Sequence, residues 1–342
     1  MKLFIFGAGA SVDAQNQVTY TEGHPERAPL VNNLFNEQYK DMKVEGLNFD
    51  IEECRAKIKE TDSLEGWLTE RWTAIDSLKT DRAKRAEKGW FGNINLYIWN
   101  LLNKISRTYP NAQGYSYLLR KLYDEDFGII SFNYDTLLDQ SYEDVFSASL
   151  SHKEDYIRGN FVKLHGSVNW FLGRRPDEHL PWDKHRGDVS VRIRTIAENI
   201  YNGNPMNMGT LEILDPKHSA LSDIAHVMEY FNNAGYFYPL LFMPLTGKDY
   251  SIVSDFKDVM VAKAEEMISK ASDIYLIGYR ANDDLIHDLL DKAPSKAKLH
   301  VIGLNSVDEI CGRVLDRHKQ LEKGSIQNKG FSNFVSEYKL SS

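Results

Sequence analysis

The sequence has 342 residues, of which 42% are hydrophobic and 26% are charged, a balance typical of an ordinary globular protein and not of a disordered chain. This length is enough for one large α/β domain, with or without a helical insertion. The formal net charge of −8 at pH 7 argues against direct nucleic-acid binding, because phosphate contacts need clustered Lys and Arg.

The two cysteines, Cys54 and Cys311, are too few for a four-cysteine zinc site and do not suggest a disulfide framework. The N-terminal apolar run is too short for a signal peptide, and no segment approaches the roughly 20 apolar residues that a membrane helix needs. We therefore expect a cytoplasmic protein that holds no metal and makes no membrane contact.

The first half of the chain predicts one strand followed by helices. Lys2–Phe6 is a short apolar run that stops at a glycine, which favours a buried strand. Residues 12–29 are polar and irregular, which predicts a loop. From about 30 to 125, apolar residues recur at three- and four-residue spacing. We expect this stretch to be a helical insertion between the first and second strands.

Strands return after residue 125. Short apolar runs predict strands at Phe127–Ser131 and Phe161–Leu164, and residues 173–235 are predicted to be a loop-rich excursion with a strand at Leu211–Leu214. The last third alternates between the two kinds of element: strands at Pro239–Met243, Asp273–Gly278 and Lys298–Gly303, and helices at Phe256–Ala271, Leu285–Leu290 and about 307–321. This alternation predicts a single α/β domain over 1–342 with a Rossmann-like parallel sheet.

The first candidate site is the segment Gly7-Ala8-Gly9-Ala10-Ser11, directly after the first strand. Glycines at such a turn let the backbone approach a pyrophosphate, and the N–H groups that follow face negative charge. The third glycine of the dinucleotide-binding pattern is missing, as is an acidic residue at the end of a clear second strand. A tight turn without a ligand is the alternative.

Two more motifs follow strands. The segment after Phe127–Ser131 contains Asn133 and Asp135. At the end of a strand, the Asn133 amide could orient a ribose hydroxyl or a water, and the Asp135 carboxylate could stabilise positive charge on a sugar. His165 follows the strand that begins at Phe161, and an imidazole there is a candidate general base. The alternatives are that Asn133 caps a turn, that Asp135 begins a helix, and that His165 is structural.

Two late turns also end strands at a glycine. One contains Gly278, Tyr279 and Arg280, with Asp283 and Asp284 behind them, and the other is the segment IGLN that ends at Asn305. In a doubly wound sheet these turns would line one edge and could hold the adenosine half of a dinucleotide. Each of them could equally be a plain helix-cap turn.

The ordered set GAGAS, FNYD, KLHGS, LIGY and IGLN resembles the sirtuin family, and most closely the bacterial sirtuin-like NAD⁺-degrading proteins of anti-phage defence. The similar segments run from residue 3 to about 305. Deacylating sirtuins carry a four-cysteine zinc module, which this chain cannot build. The long helical stretch predicted before Asn133 is similar to that of the defence-associated branch.

The resemblance implies an NAD⁺ glycohydrolase that yields nicotinamide and ADP-ribose and depletes NAD⁺ in abortive infection. The catalytic residues it implies are Asn133, Asp135 and His165. The residues it implies for NAD⁺ binding are Gly7, Ala8, Gly9 and Ser11 on the phosphates, and Gly278, Tyr279 and Asn305 on the phosphate and adenosine side. Arg280 stands where the family usually has a serine.

Three other functions stay open at this point. A sirtuin-like fold could sense NAD⁺ or ADP-ribose without turnover, it could deacylate proteins, or the chain could be an NAD-dependent dehydrogenase. Incubation with NAD⁺ alone separates these three functions from a glycohydrolase, because only a glycohydrolase releases nicotinamide without an acyl peptide.

The resemblance also implies control by assembly, because unregulated loss of NAD⁺ would kill the cell. It implies a homo-oligomer, a partner subunit that carries the trigger, or both. The partner would be a helicase-like ATPase, an Argonaute-like protein or a nucleotide-processing protein.

Overall fold

In the residues that the computed structural model describes, nine strands form two sheets. The described residues are 1–15, 27–61, 63–108, 110, 112–174, 208–231, 237–241 and 254–338, together with 190, 191, 193, 194, 197 and 201. Within them, no helix is both long and apolar enough to cross a membrane.

The larger sheet has six strands, and the smaller has three. The larger sheet contains β1 (Lys2–Phe6), β2 (Phe127–Ser131), β3 (Phe161–Lys163), β7 (Asp273–Ile277), β8 (Lys298–Ile302) and β9 (Glu322–Gln327). Its order is β3-β2-β1-β7-β8-β9, and every neighbouring pair is parallel. The smaller sheet is antiparallel, with β4 (Gly166–Arg174) between β5 (Met208–Ile213) and β6 (Phe237–Leu241).

Helices follow most strands of the larger sheet. Those in the first half are α1 (Ala8–Ala14), α2 (Ile51–Thr61), α3 (Leu64–Ala74), α4 (Asp81–Thr108), α5 (Gln113–Lys121), α6 (Leu137–Phe146) and α7 (Lys153–Arg158). Those in the second half are α8 (Ile224–Tyr230), α9 (Ser254–Ser269), α10 (Asp284–Leu290), α11 (Val307–Arg317) and α12 (Gly330–Glu337). Short 3₁₀ turns occupy Val31–Asn33, Glu37–Met42, Ile75–Ser77 and Ser219–Ser222.

The fold is α/β with a Rossmann-like parallel sheet, as the alternation of elements predicts. Strand β1 is central, and its residues from Leu3 to Phe6 are fully buried, which explains why it is a continuous apolar run. From β1 the chain builds β2 and β3 towards one edge, whereas β7, β8 and β9 are added towards the other. The order therefore reverses between β1 and β7, and open α/β sheets bind ligands outside the carboxyl ends of the strands at such a switch point.

The regular elements described between β1 and β2 are helices and 3₁₀ turns, and the longest helix, α4, packs against the smaller sheet. The Trp99 Nε1–H donates to the carbonyl of Val168 at 2.7 Å, and the Asn95 amide donates to the carbonyl of Leu241 at 3.3 Å. Buried indole and amide groups thus tie the helix to the backbone of β4 and β6.

Several elements differ from the sequence-based expectations. The loop predicted over 12–29 is wrong at its start, because α1 continues to Ala14, and residues 16–26 lie outside the described residues. The polar residue Asp13 lies on this helix because its buried carboxylate accepts a hydrogen bond from the amide of Ser332 at 2.7 Å. Strand β4, helix α8, strand β9 and helix α12 were not predicted at all.

Candidate functional site

Two glycine turns meet at the switch point, outside the carboxyl ends of β1 and β7. The Gly7 amide donates to the carbonyl of Ile277 at 3.0 Å, and the Gly9 amide donates to the carbonyl of Gly278 at 3.0 Å. Gly278 has a φ of +58°, and a Cβ there would clash with the backbone nitrogen of Ala10. These glycines are therefore needed for the close approach of the two turns, a role that the sequence did not suggest.

Ser11 joins the first glycine turn to the segment after β2. The Asn133 Nδ2 donates to the carbonyl of Gly7 at 3.1 Å and to the Ser11 hydroxyl at 3.0 Å, and that hydroxyl donates to Asp135 Oδ2 at 2.9 Å. The Tyr115 hydroxyl lies 2.9 Å from Ser11 Oγ. Three of the predicted site residues, Ser11, Asn133 and Asp135, are thus in one hydrogen-bonded cluster beside Gly7.

The cluster is deeply buried. Ser11 is fully buried, Asn133 is 5% exposed and Asp135 is 4% exposed. Burial raises the pKa of Asp135, although the positive charge of Lys163 and hydrogen bonds from the Ser11 hydroxyl and the Leu137 amide act in the opposite direction. The environment of Asp135 thus disfavours its negative charge, and the hydrogen bonds and Lys163 offset part of that effect.

A buried ion pair supports the cluster from below. The Lys163 ammonium donates to the backbone carbonyl of Asp135 at 2.6 Å and to the Asp139 carboxylate at 2.9 Å, and both charged side chains are fully buried. The Tyr156 hydroxyl donates to the other oxygen of Asp139 at 2.9 Å. A buried ion pair needs such additional hydrogen bonds to offset its desolvation. Here it fixes the backbone of the segment that carries Asn133 and Asp135.

His165 lies in the turn between β3 and β4, outside the Ser11 cluster. Its Nε2 is 2.6 Å from Asp283 Oδ2, and the two side chains are 13% and 21% exposed. Its ring meets Phe132 edge-on, with the ring centroids 4.9 Å apart. The space beside the following glycine is filled by protein, since a Cβ on Gly166 would clash with the carbonyl of Leu240.

An aromatic pair connects His165 with the glycine turns. Phe132 stacks on Tyr279 with centroids 4.5 Å apart, and a Cβ on Gly7 would meet the Tyr279 ring at 2.7 Å. Phe132 therefore contacts both His165 and Tyr279, and Tyr279 in turn contacts Gly7. The structure brings Asn133, Asp135 and the first glycine turn into contact, and His165 reaches them through this aromatic pair.

Two buried oxygens at this place have no hydrogen-bond partner among the described residues. They are the Oδ1 of Asn133 and the phenolic oxygen of Tyr279. Buried polar atoms are nearly always paired, because an unpaired one costs about 1–3 kcal/mol. Both belong to predicted site residues, and a bound ligand or ordered water is the usual partner of such atoms.

Glu65, near the start of α3, is a further charged group at the site. Burial raises its pKa, and the negative charge of Asp283 adds to this effect, whereas His165 and Arg280 oppose it. Its charge also acts on the phenols of Tyr134 and Tyr279. The start of α3 therefore contributes a carboxyl group whose charge acts on His165.

The remaining predicted residues are less closely involved. Asn305 and Arg280 are exposed on their turns, and the Gly7–Ile277 and Gly9–Gly278 bonds already use two of the backbone amides expected to face a phosphate. The Ser11 hydroxyl, expected on a phosphate as well, is turned inwards to Asp135.

Surface cavities of about 380 and 410 Å³ lie elsewhere, on both sides of Arg107. The Arg107 guanidinium is already bonded to the carbonyl of His218 at 2.8 Å. The described residues contain no group of three or more His, Cys, Asp or Glu that could hold a metal ion.

Sequence reasoning did not assign roles to Glu65, Lys163, Asp283 or Tyr115. For Asp283 there was a signal, because an Asp before an amphipathic helix is typical of an N-cap. Its second partner, His165, is distant in sequence and cannot be read from spacing. Lys163 stood within the KLHGS motif, but nothing in the sequence marks a lysine as buried.

Comparison with known proteins adds no family to these observations. No protein-family model matches the chain, and no curated protein matches it in sequence.

Proposed function

We propose that the chain is a sirtuin-like NAD⁺ glycohydrolase that cleaves the bond between nicotinamide and ribose. The observation that carries the proposal is the cluster of Asn133, Ser11 and Asp135 on the Gly7 turn, at the switch point of a Rossmann-like sheet. An amide with a free buried oxygen and a buried carboxylate, next to a glycine turn, are groups suited to a ribose ring that becomes cationic.

The reaction needs charge stabilisation more than acid catalysis. As the bond between C1′ of the ribose and the nicotinamide nitrogen breaks, both electrons go to the nitrogen, which was already cationic and leaves neutral. Positive charge then grows on the ribose, and a negative Asp135 stabilises it. Asn133 orients the ribose or the incoming water. The water oxygen bonds to C1′, and His165 accepts the proton that is released.

One observation favours a second function, binding without turnover. Asp135 already accepts hydrogen bonds from Ser11 and from the Leu137 amide at 3.1 Å, which is also what a purely structural helix-start residue does. A sensor of NAD⁺ or ADP-ribose would keep the fold and the glycine turns and would need no free carboxylate.

The test is a nicotinamide-release assay on the purified chain with NAD⁺ alone, over a wide range of protein concentration. We expect release by the wild type, and a fall of about 10²–10⁴-fold in Asn133→Ala and in His165→Ala, as expected for a lost catalytic group. Calorimetric titration with NAD⁺ in parallel separates loss of binding from loss of turnover.

Matched controls remove the effect of altered folding. His226→Ala removes an exposed histidine that also pairs with an aspartate, and it should keep full activity. Asn103→Ala removes a buried amide on α4 that donates to the carbonyl of Leu221 at 2.7 Å, and it tests the general cost of losing such an amide. If the wild-type chain binds NAD⁺ but releases no nicotinamide, the result would contradict the glycohydrolase and support the sensor.

The wider setting belongs to the same proposal. An NAD⁺-depleting enzyme in the cytoplasm serves anti-phage defence by abortive infection, and it needs an off state in the absence of phage. We propose that self-association or a partner subunit supplies that control. The carrier of the trigger would be a helicase-like ATPase, an Argonaute-like protein or a nucleotide-processing protein.

A further inference from the structure

Asp283 makes two hydrogen bonds, one with each carboxylate oxygen. Its Oδ1 accepts the backbone amide of Leu285 at 2.8 Å and so caps the start of α10, and its Oδ2 lies 2.6 Å from His165 Nε2. We infer that Asp283 is the positioning residue of His165, which sets the orientation and the tautomer of the imidazole. This inference rests on the proposed NAD⁺ cleavage, in which His165 accepts a proton.

The tautomer follows from the chemistry of the two partners. An ionised carboxylate only accepts hydrogen bonds, so the Nε2 that faces it must carry a proton. A neutral imidazole has one protonated nitrogen, which leaves Nδ1 of His165 with a lone pair. Nδ1 is therefore the atom that accepts the proton from a ribose hydroxyl or a water. Burial raises the pKa of Asp283, but the hydrogen bonds from His165 and from the Leu285 amide act against burial, and the pKa lies below its ordinary value, so the carboxylate is ionised.

The orientation is fixed by more than the hydrogen bond. Because α10 begins at Asp283, the carboxylate cannot rotate away from His165 without giving up the cap. Phe132 packs edge-on against the imidazole, and the Tyr134 ring lies 6.0 Å from it. The charged groups whose fields reach this pair are Glu65 on α3 and Lys257 on α9, and Arg280 on the turn after β7 acts on Glu65.

The variant Asp283→Asn tests the inference directly. Asn caps helices as well as Asp does, so its Oδ1 should keep the Leu285 amide and leave its NH₂ group facing His165. That NH₂ group donates, so Nε2 must then present a lone pair and the proton moves to Nδ1. We expect nicotinamide release to show a kcat about 10²–10⁴-fold lower with little change in KM. We also expect ¹⁵N-histidine NMR spectra to show the switch of tautomer at His165.

Two other variants separate positioning from capping. Asp283→Ser keeps a capping hydroxyl but cannot reach His165, so it should keep the thermal stability and lose activity as the Asn variant does. Asp223→Asn is the matched control, because Asp223 also caps a helix and pairs with a histidine, His226, at 2.8 Å on an exposed surface. It should change neither kcat nor the His165 signals.

The outcomes distinguish this inference from the proposed function. If Asp283→Asn leaves the His165 tautomer and kcat unchanged, or if activity falls only in step with the melting temperature across the three variants, Asp283 is a structural cap and the inference is overturned. If the wild type releases no nicotinamide, the glycohydrolase is contradicted. The NMR comparison then still decides whether Asp283 sets the His165 tautomer.

Discussion

Individual residues at the switch point carry charge in surroundings that disfavour it. Asp135 is almost fully buried, and its oxygens are bonded to a hydroxyl and a backbone amide. Lys163 below it is buried as well and is paired with Asp139. A buried carboxylate of this kind destabilises the folded chain when it ionises, and proteins retain such groups mainly where the charge has a use.

The substitution Asp135→Asn should therefore separate stability from activity. The pKa of Asp135 is raised in the folded state, so its stabilising contribution is present below the unfolded pKa and is lost as the pH rises through the folded pKa. Asn does not ionise, so the free energy of unfolding of the variant should increase relative to that of the wild type from acid to alkaline pH in urea titrations. Nicotinamide release should fall by about 10²–10⁴-fold. A variant that loses equal stability at acid and at alkaline pH would contradict this prediction.

At the scale of elements, strand ends and helix starts bring the site together. Strand β2 delivers Asn133 and Asp135, the turn after β3 delivers His165, and the start of α10 delivers its partner Asp283. Glu65 comes from the start of α3, and its charge acts on His165 and Asp283. Each of these side chains lies within a few residues of a regular element, which limits its movement.

Helix α6 holds a second buried carboxyl, Glu143, which provides a test away from the site. Burial raises its pKa to about 7, although the Leu150 amide donates to its Oε1 at 2.8 Å. With a raised pKa, its contribution to stability is present at low pH and is lost as the pH rises through about 7.

We predict that Glu143→Gln keeps the bond from Leu150 and stabilises the chain at alkaline pH. The free energy of unfolding should exceed that of the wild type by on the order of 2 kcal/mol at pH 8.5, and the difference should shrink towards pH 5. Urea unfolding at the two pH values measures it, with the exposed Glu154→Gln as control. A difference that grows towards low pH would refute the assignment.

Elements were predictable from the sequence where burial dictates a pattern. The strands β1 and β2 are mostly apolar runs that are buried after their first residue, and the sequence placed both at their observed bounds. Strand β9 is mostly polar because it forms the edge of the sheet and is only half covered, so no apolar run marks it. Strand β4 was missed because its glycine start and mixed residues have no simple period.

For the whole molecule, the contact between the two glycine turns joins the halves of the large sheet. The site could be predicted only in part, because strand-end positions can be read from sequence while contacts between distant segments cannot. Asn133 and Asp135 were expected to lie together after β2, and they do. The pairing of His165 with Asp283 and the packing of Gly278 on Gly9 depend on which strands become neighbours.

We predict that Gly278→Ala disrupts the contact between the two glycine turns. An alanine there would need a left-handed backbone and would clash with the first turn, so the free energy of unfolding should fall by about 2 kcal/mol or more. Affinity for NAD⁺, measured by calorimetry, should fall with it. Gly312→Ala on α11 is the control, since its Cβ meets nothing within 4 Å and should stabilise the helix by about 0.5–1 kcal/mol. If the two substitutions changed the free energy of unfolding equally, the contact between the glycine turns would not be under steric constraint.

The position of β1 between β2 and β7 has a consequence for synthesis of the protein on the ribosome. The first strand leaves the exit tunnel early, but its neighbour β7 and the turn with Gly278 are translated only after most of the chain. A nascent chain therefore contains the first glycine turn, after β1, long before the second one, after β7. Premature termination before Asp283 would therefore yield fragments that lack the hydrogen-bond partner of His165.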